Sequence, residues 1–387
     1  MLSRFLLPLL LGLSALAVLP ARADEPPPAL AASAWLLIDH HSGQTLAARN
    51  ADQKVEPASL TKIMTSYVAY AALRDGRLKA DQVVPVSEKA WKAPGSRMFI
   101  EPGKPVTVDD LLNGVVIQSG NDASIALAEA VAGSEEAFVA LMNAEARRLG
   151  LDDTRFANAT GLPDPAHLTS ARDLAKLAAA LIRDFPEEYR RYAVKEFTWN
   201  TIKQLNRNRL LWLDPAIDGV KTGHTKSAGF CLIASRHDGA RRLTAVVLGT
   251  ASEQARAQET LALLHYGARA FAAVRLYGKE QPLSNLEIYK GARSAVGAGF
   301  AADFVLSLPK DVAAALAGNA TAGGRLKVEV ASRQPLVAPV RRGERIATLR
   351  LALDGEALGE FPLVALDDVP VAGPLGRAWD SLRLYFQ

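Results

Sequence analysis

Strand-like runs stand at both ends of the first 270 residues with helical patterns between them, and this constrains the fold more than any other feature. Ala34-Trp35-Leu36-Leu37-Ile38-Asp39 is a continuous apolar strand. Ser42-Gly43 turns it back toward a second strand near Thr45 to Ala48. Helical periodicity follows in Leu60 to Arg74, Val108 to Val116, Asp122 to Ala132, Ser134 to Leu149 and Ser170 to Arg183. Ser134, which precedes Glu135-Glu136, and Ser170, with Asp173 three residues on, read as N-caps. Strand patterns resume at Gly219 to Thr222, Gly229 to Arg236 and Arg242 to Leu248, before a last helix from Glu253 to Phe271. An N-terminal hairpin cannot bury both faces alone. The pattern therefore predicts one α/β (α+β) domain whose antiparallel sheet is completed by distant segments and covered by helices.

From about Leu276 the texture changes to short alternating runs separated by Gly, Pro and Asp turns: Leu286 to Tyr289, Phe304 to Leu308, Leu326 to Val330 and Arg345 to Leu353. Asp354-Gly355 is the clearest hairpin signal among them. This reads as a small all-β domain. In the tail, Leu375, Trp379, Leu382 and Phe386 recur at helical spacing while Arg377, Asp380 and Arg383 fall on another face. A helix this short cannot span a bilayer, but it can dock on the protein's own surface or, the reading adopted, lie in the interface with its aromatic rings at headgroup depth. The expected organisation is a signal peptide at 1–23, the α/β domain at 24–272, a β-rich domain at 273–370 and an amphipathic anchor at 371–387. The signal peptide rests on Arg4, the apolar run Phe5 to Val18 and the small-x-small site Ala21-Arg22-Ala23.

Charge and cysteine usage exclude several chemistries. Of 45 basic side chains, the leader removes Arg4 and Arg22, leaving 43 against 41 acidic ones and no charge run suited to nucleic acid. Cys231 is alone, inside the apolar run Gly229 to Ala234, so it reads as a buried strand thiol. The six histidines show neither H-x-x-x-H nor H-E-x-x-H spacing. No metal or organic cofactor is expected.

Three short motifs carry the chemistry: Ser59-Leu60-Thr61-Lys62, Ser119-Gly120-Asn121 and Lys221-Thr222-Gly223. Ser59 follows Pro57-Ala58 and opens an apolar helix through Ile63, Met64, Tyr67 and Val68. Its hydroxyl is expected near free N–H groups at the positive end of the helix dipole. Lys62, three residues on, shares its face. A lysine serves as base for a serine only when its pKa is pulled well down by burial or a second cation, and Lys221 is the candidate cation. Ser119 is placed to relay a proton to a leaving amine. Asn121 is placed either to bind a substrate amide or to hold the lysine. Lys221 and Thr222, on an expected edge strand, are suited to a carboxylate, with Gly223 permitting close backbone approach and the strand supplying an oxyanion donor. His224 enters through its backbone N–H. A second S-x-x-K at Ser307 to Lys310 contains Pro309 and follows a strand-like run, so its Ser and Lys cannot share a helical face.

These motifs, with Pro57-Ala58-Ser59-Leu60-Thr61-Lys62, Gln118 to Asp122, Ser170 to Asp173, Gln204 to Asn208 and Asp218 to His224, resemble the low-molecular-mass penicillin-binding proteins that are D-alanyl-D-alanine carboxypeptidases, serine peptidases of the S11 family. The resemblance covers about residues 30 to 270, extends to a β-rich C-terminal domain over Leu276 to Val369, and includes a terminal membrane anchor. It implies a transpeptidase/β-lactamase-like fold and an exported enzyme on the periplasmic face of the inner membrane. That enzyme removes the terminal D-alanine from peptidoglycan stem peptides and is acylated by β-lactams. It makes Ser59 the nucleophile, Lys62 its base, Ser119 and Asn121 the relay and substrate contacts, and Lys221 and Thr222 the carboxylate site. Arg207, in Leu205-Asn206-Arg207-Asn208, supplies charge near the cleft or a surface salt bridge. Some members carry an arginine just after the strand that ends here at Leu248-Gly249. This chain reads Thr250-Ala251, with the next arginine at Arg256, which leaves a second carboxylate-binding arginine without an assigned position. The rival readings are a β-lactamase, for which no Glu-x-x-Leu-Asn lies between Ser119 and Lys221, a DD-endopeptidase, and a catalytically idle muropeptide- or antibiotic-binding protein.

Overall fold

The computed structural model describes residues 25–239, 241–317, 325–332 and 334–386, so the leader read at 1–23 lies outside the described residues. The chain divides into two compact units. One comprises residues 25–274 with 305–313, and the other comprises 275–304 with 314–386.

In the first unit the five strands β1 (Ala34–Asp39), β2 (Thr45–Arg49), β3 (Ile217–Thr225), β4 (Gly229–Asp238) and β5 (Arg241–Thr250) form one sheet in the order β2-β1-β5-β4-β3. Every pairing is antiparallel, and Ala34 to Asp39 run in register against Leu248 to Leu243. The five principal helices are α1 (Lys62–Arg74), α2 (Asn121–Ala132), α3 (Glu135–Arg148), α4 (Ala171–Asp184) and α5 (Glu253–Ala270). Helix α4 packs on β1 and β5 from one side, and α5 packs on the same strands from the other. A strand covered on both faces must be apolar at every position, and all six residues of β1 are buried. Helix α4 turns Leu174, Leu177, Ala178 and Leu181 inward, the amphipathic case. Helix α1 is buried nearly all round from Lys62 to Tyr70, so its apolar residues cannot form a single stripe. Ser134 and Ser170 accept hydrogen bonds from the N–H groups of Ala137 and Asp173, as N-caps should.

Segment 305–313 groups with this first unit. Ser307 lies on a strand (Phe304–Pro309), Lys310 opens the next helix, and the Ser307 hydroxyl donates to Asp39 Oδ2 at 2.6 Å, so the second S-x-x-K has a structural use.

In the second unit, strands β6 (Pro282–Tyr289), β7 (Ala295–Gly299), β8 (Leu326–Ser332), β9 (Leu336–Val337), β10 (Arg345–Leu353) and β11 (Glu356–Ala365) form a sheet ordered β8-β10-β11-β7-β6-β9. Asp354 and Gly355 are both left-handed, the geometry of the tight β10–β11 turn. Helix α6 (Pro374–Tyr385) lies against β6 through its polar side. Arg383 Nη2 donates to Glu287 at 2.6 Å, and Asp380 accepts from the Lys290 N–H. Leu375, Trp379, Leu382 and Phe386 remain exposed. No described helix is long and apolar enough to cross a membrane.

Candidate active site

Ser59 sits in a 3₁₀ turn (Ala58–Thr61) that passes directly into α1, so the nucleophile candidate is fixed by the element that carries Lys62. The three-residue spacing places Lys62 Nζ 3.1 Å from Ser59 Oγ. Nζ also donates to Asn121 Oδ1 and to the Thr160 carbonyl, each at 2.6 Å. The carbonyl can come this close because residue 161 is glycine: a Cβ there would stand 1.8 Å from the Ala58 oxygen. Lys62 is 1% exposed. Burial pulls its pKa from 10.5 down to about 7; the Asp122 carboxylate works against that fall and the Arg207 guanidinium adds to it. Arg207 thus joins Lys221, the expected second charge, whose mutual repulsion with Lys62 is felt at Lys221. Lys221 is buried as well, and burial, Lys62, Arg207 and Arg256 hold its own pKa well below the usual lysine range.

Ser119 ends a π-helical turn (Gly114–Gln118) in a left-handed conformation, φ 65°. Its hydroxyl is buried and has no hydrogen-bond partner among the described residues. Asn121 opens α2 and is engaged at both ends, by Lys62 and by the Pro94 carbonyl at 2.7 Å, so of its two expected roles the geometry favours holding the lysine. The next residue, Asp122, is fully buried and receives the N–H groups of Met98, Phe99, Ile100 and Ala123. This carboxylate ties the 95–100 loop, which carries Gly95 and Ser96 of the cavity wall, to the start of α2.

Lys221, Thr222, Gly223 and His224 lie on β3, which is the sheet edge as expected. Gly223 is where β3 meets the Ser59 turn: a Cβ would come within 3.2 Å of the Ala58 Cβ and the Pro57 oxygen. The His224 ring stacks on Phe230 at 3.9 Å. Arg207 donates to the Gln118 carbonyl at 3.0 Å and to Ser96 Oγ at 2.9 Å, partners that aim it into the cleft. The salt-bridge alternative for this side chain is not realised among the described residues.

Sequence reasoning left Arg256 without a role, and the structure places it in the same cavity. It lies in the first turn of α5, 4% exposed, donating to the Gly223 carbonyl at 3.3 Å, paired with Glu253 at 3.1 Å and stacked over Phe230. The available signal was positional. Side chains in a first turn lean toward the helix N-terminus, here back toward the end of β5.

Together Ser59, Ser119, Asn121, Arg207, Thr222, His224 and Arg256 line a cavity of about 280 Å³, with Lys62 and Lys221 buried behind the lining. A hydroxyl beside an amine that is half neutral near pH 7, facing a cluster of cations, is equipped for acyl transfer from substrates that carry a carboxylate. Among the described residues there is no grouping of His, Cys, Asp and Glu able to hold a metal ion.

Comparison with known proteins points the same way. The sequence model of the D-alanyl-D-alanine carboxypeptidase family (peptidase S11) matches residues 21–252, and that of the penicillin-binding protein 5 C-terminal domain matches 271–371. The chain is 41% identical to D-alanyl-D-alanine carboxypeptidase DacC of Escherichia coli K12, over 93% of this chain and 89% of that one. Penicillin-binding protein 5 of Haemophilus influenzae superimposes with a TM-score of 0.79 at 38% identity, over 89% of this chain and 99% of that structure. Penicillin-binding protein D2 of Listeria monocytogenes, solved in its ampicillin-bound form, aligns at 28% identity and a TM-score of 0.59, over 63% of this chain and all of that structure.

Proposed function

The chain belongs to the D-alanyl-D-alanine carboxypeptidase family of serine peptidases, and from that premise we propose that it removes the terminal D-alanine from peptidoglycan stem peptides through an acyl-enzyme on Ser59. The observation that carries this reading is the 3.1 Å contact between Ser59 Oγ and a buried Lys62 with a pKa of about 7. Neutral Lys62 takes the hydroxyl proton as Oγ bonds to the carbonyl carbon of the penultimate D-alanine. The oxygen that becomes negative is met by backbone N–H groups, including that of His224 on the edge strand. The C–N bond then breaks, and the proton passes through Ser119 to the departing amine. That task suits a buried hydroxyl with no partner among the described residues. Lys221, Thr222 and Arg256 hold the terminal carboxylate, and Arg207 adds positive potential at the mouth. Water releases the shortened peptide. β-Lactams enter by the same acylation, a reading supported by the ampicillin-bound relative.

The finer statements on location belong here as well. The leader-like residues 1–23 and the exposed apolar face of α6 support an exported protein held at the membrane surface through that helix. Residues 24–272, 273–370 and 371–387 then serve as catalytic domain, β-rich domain and anchor.

Mass spectrometry of the purified protein with a synthetic pentapeptide, with and without penicillin, tests the reaction. The parent should release one D-alanine and take up one penicillin on Ser59, and Ser59→Ala should do neither. Labelling that survives in the variant, or maps to Ser307, would assign the chemistry elsewhere.

A further inference from the structure

Among the described residues that line the cavity, Glu253 is the one acidic side chain. It is the first residue of α5, directly after the N-cap Ser252. Its Oε1 lies 3.1 Å from Arg256 Nη2. The two partners differ in environment: the Arg256 side chain is 5% exposed and the Glu253 side chain 51%. Arg256 is also fixed by the Gly223 carbonyl and by the face of Phe230. Glu253 is therefore the partner that stands in water.

We infer that Glu253 is a specificity-determining residue that competes with the substrate's terminal carboxylate for the Arg256 guanidinium. The inference rests on the proposed reading that Arg256 and Lys221 receive that carboxylate. An incoming carboxylate must either share Arg256 with Glu253, placing two negative charges close together, or displace it. Displacement is feasible because an ion pair with one partner half in water is weak and salt-screened. The displaced Glu253 stays at the start of α5, where the helix dipole favours negative charge. Arg207, on the same cavity wall, supplies opposing positive charge, so Glu253 lowers a preference for free carboxylates that the cavity would otherwise hold more strongly.

The test compares kcat/KM for a peptide ending in D-Ala-D-Ala with that for its C-terminal amide, at low and high salt. Glu253→Gln should raise the acid-over-amide ratio roughly two- to fivefold, mainly through KM, and the gain should shrink at about 0.5 M salt. Glu253→Asp keeps a negative charge at the helix start but draws it back by one methylene, so it should shift the ratio the same way by a smaller factor. Arg256→Ala, measured in parallel, should lower the ratio. Penicillin labelling stoichiometry counts the folded enzyme in each preparation, so poor folding cannot mimic the result. A ratio at or below the parent's in both Glu253 variants, with Arg256→Ala still lowering it, overturns the competition and leaves the carboxylate site standing. A ratio that Arg256→Ala leaves unchanged removes that site, and the inference with it.

Discussion

Lys62 shows how a single residue type acquires its chemistry from burial. In water an ammonium at pH 7 is useless as a base. Sealed behind the cavity wall with three acceptors and no ion-paired carboxylate among the described residues, it has its pKa pulled down to about 7 by burial. The sign of the pH dependence follows: the neutral form accepts the proton, so acylation is lost as pH falls through about 7 and levels off above it. Stopped-flow acylation by a fluorescent penicillin between about pH 5 and pH 9 should trace that single rise. Lys62→Arg keeps the charge but cannot become neutral, so its acylation should collapse at every pH. A flat profile in the parent, or near-parental acylation by the arginine variant, would remove Lys62 as the base. Ser59 and Lys62 were legible because three residues of helix fix their distance. For Asn121 the sequence offered two roles, a substrate amide or the lysine, and could not choose between them, since the choice depends on an oxygen 59 positions away in the chain.

Elements set how this site is held together. The 95–100 loop has no regular structure of its own, and the N–H groups of Met98, Phe99 and Ile100 end on Asp122 at the start of α2. Asp122→Ala removes the acceptor for four backbone donors, and each donor left buried costs about 1–3 kcal/mol. The variant should melt at least about 5 °C below the parent and acylate slowly, because Gly95 and Ser96 leave the cavity wall. Asp122→Asn keeps one acceptor oxygen and should lose less of both. Calorimetry together with penicillin labelling checks this. An alanine variant that matches the parent in both would mean that the loop is held from elsewhere. The helix caps and strand runs could be read locally, whereas the π turn that delivers Ser119 with a left-handed backbone carries no compositional signature. The start of α5 was legible as a helix, but its Arg256 gained a role only when β5 delivered that helix end to the cavity.

At the scale of the whole molecule, the nucleophile candidate, both lysines and both cavity arginines lie in the unit of residues 25–274 with 305–313, while α6 lies in the other. Deleting residues 374–387 should therefore leave activity on soluble peptides intact and release the protein from membranes. The apolar area of Leu375, Trp379, Leu382 and Phe386 is what lipid would cover. Vesicle flotation of parent and truncated protein, with Trp379→Ser/Phe386→Ser alongside, checks it. Full-length protein that stays in the supernatant, or a truncation that loses activity, would show that the helix serves the protein's own fold. The sequence by itself determined what short-range covalent geometry dictates: the strand and helix periods, the two-part texture, the edge position of Lys221 and the Ser59–Lys62 pair. Tertiary structure alone decided which distant groups meet them. The Thr160 carbonyl on Lys62, Ser307 on Asp39, and Arg256 with Glu253 at the cavity all depend on how the chain returns to itself. Local periodicity does not encode such returns, because they follow from which faces must be buried together.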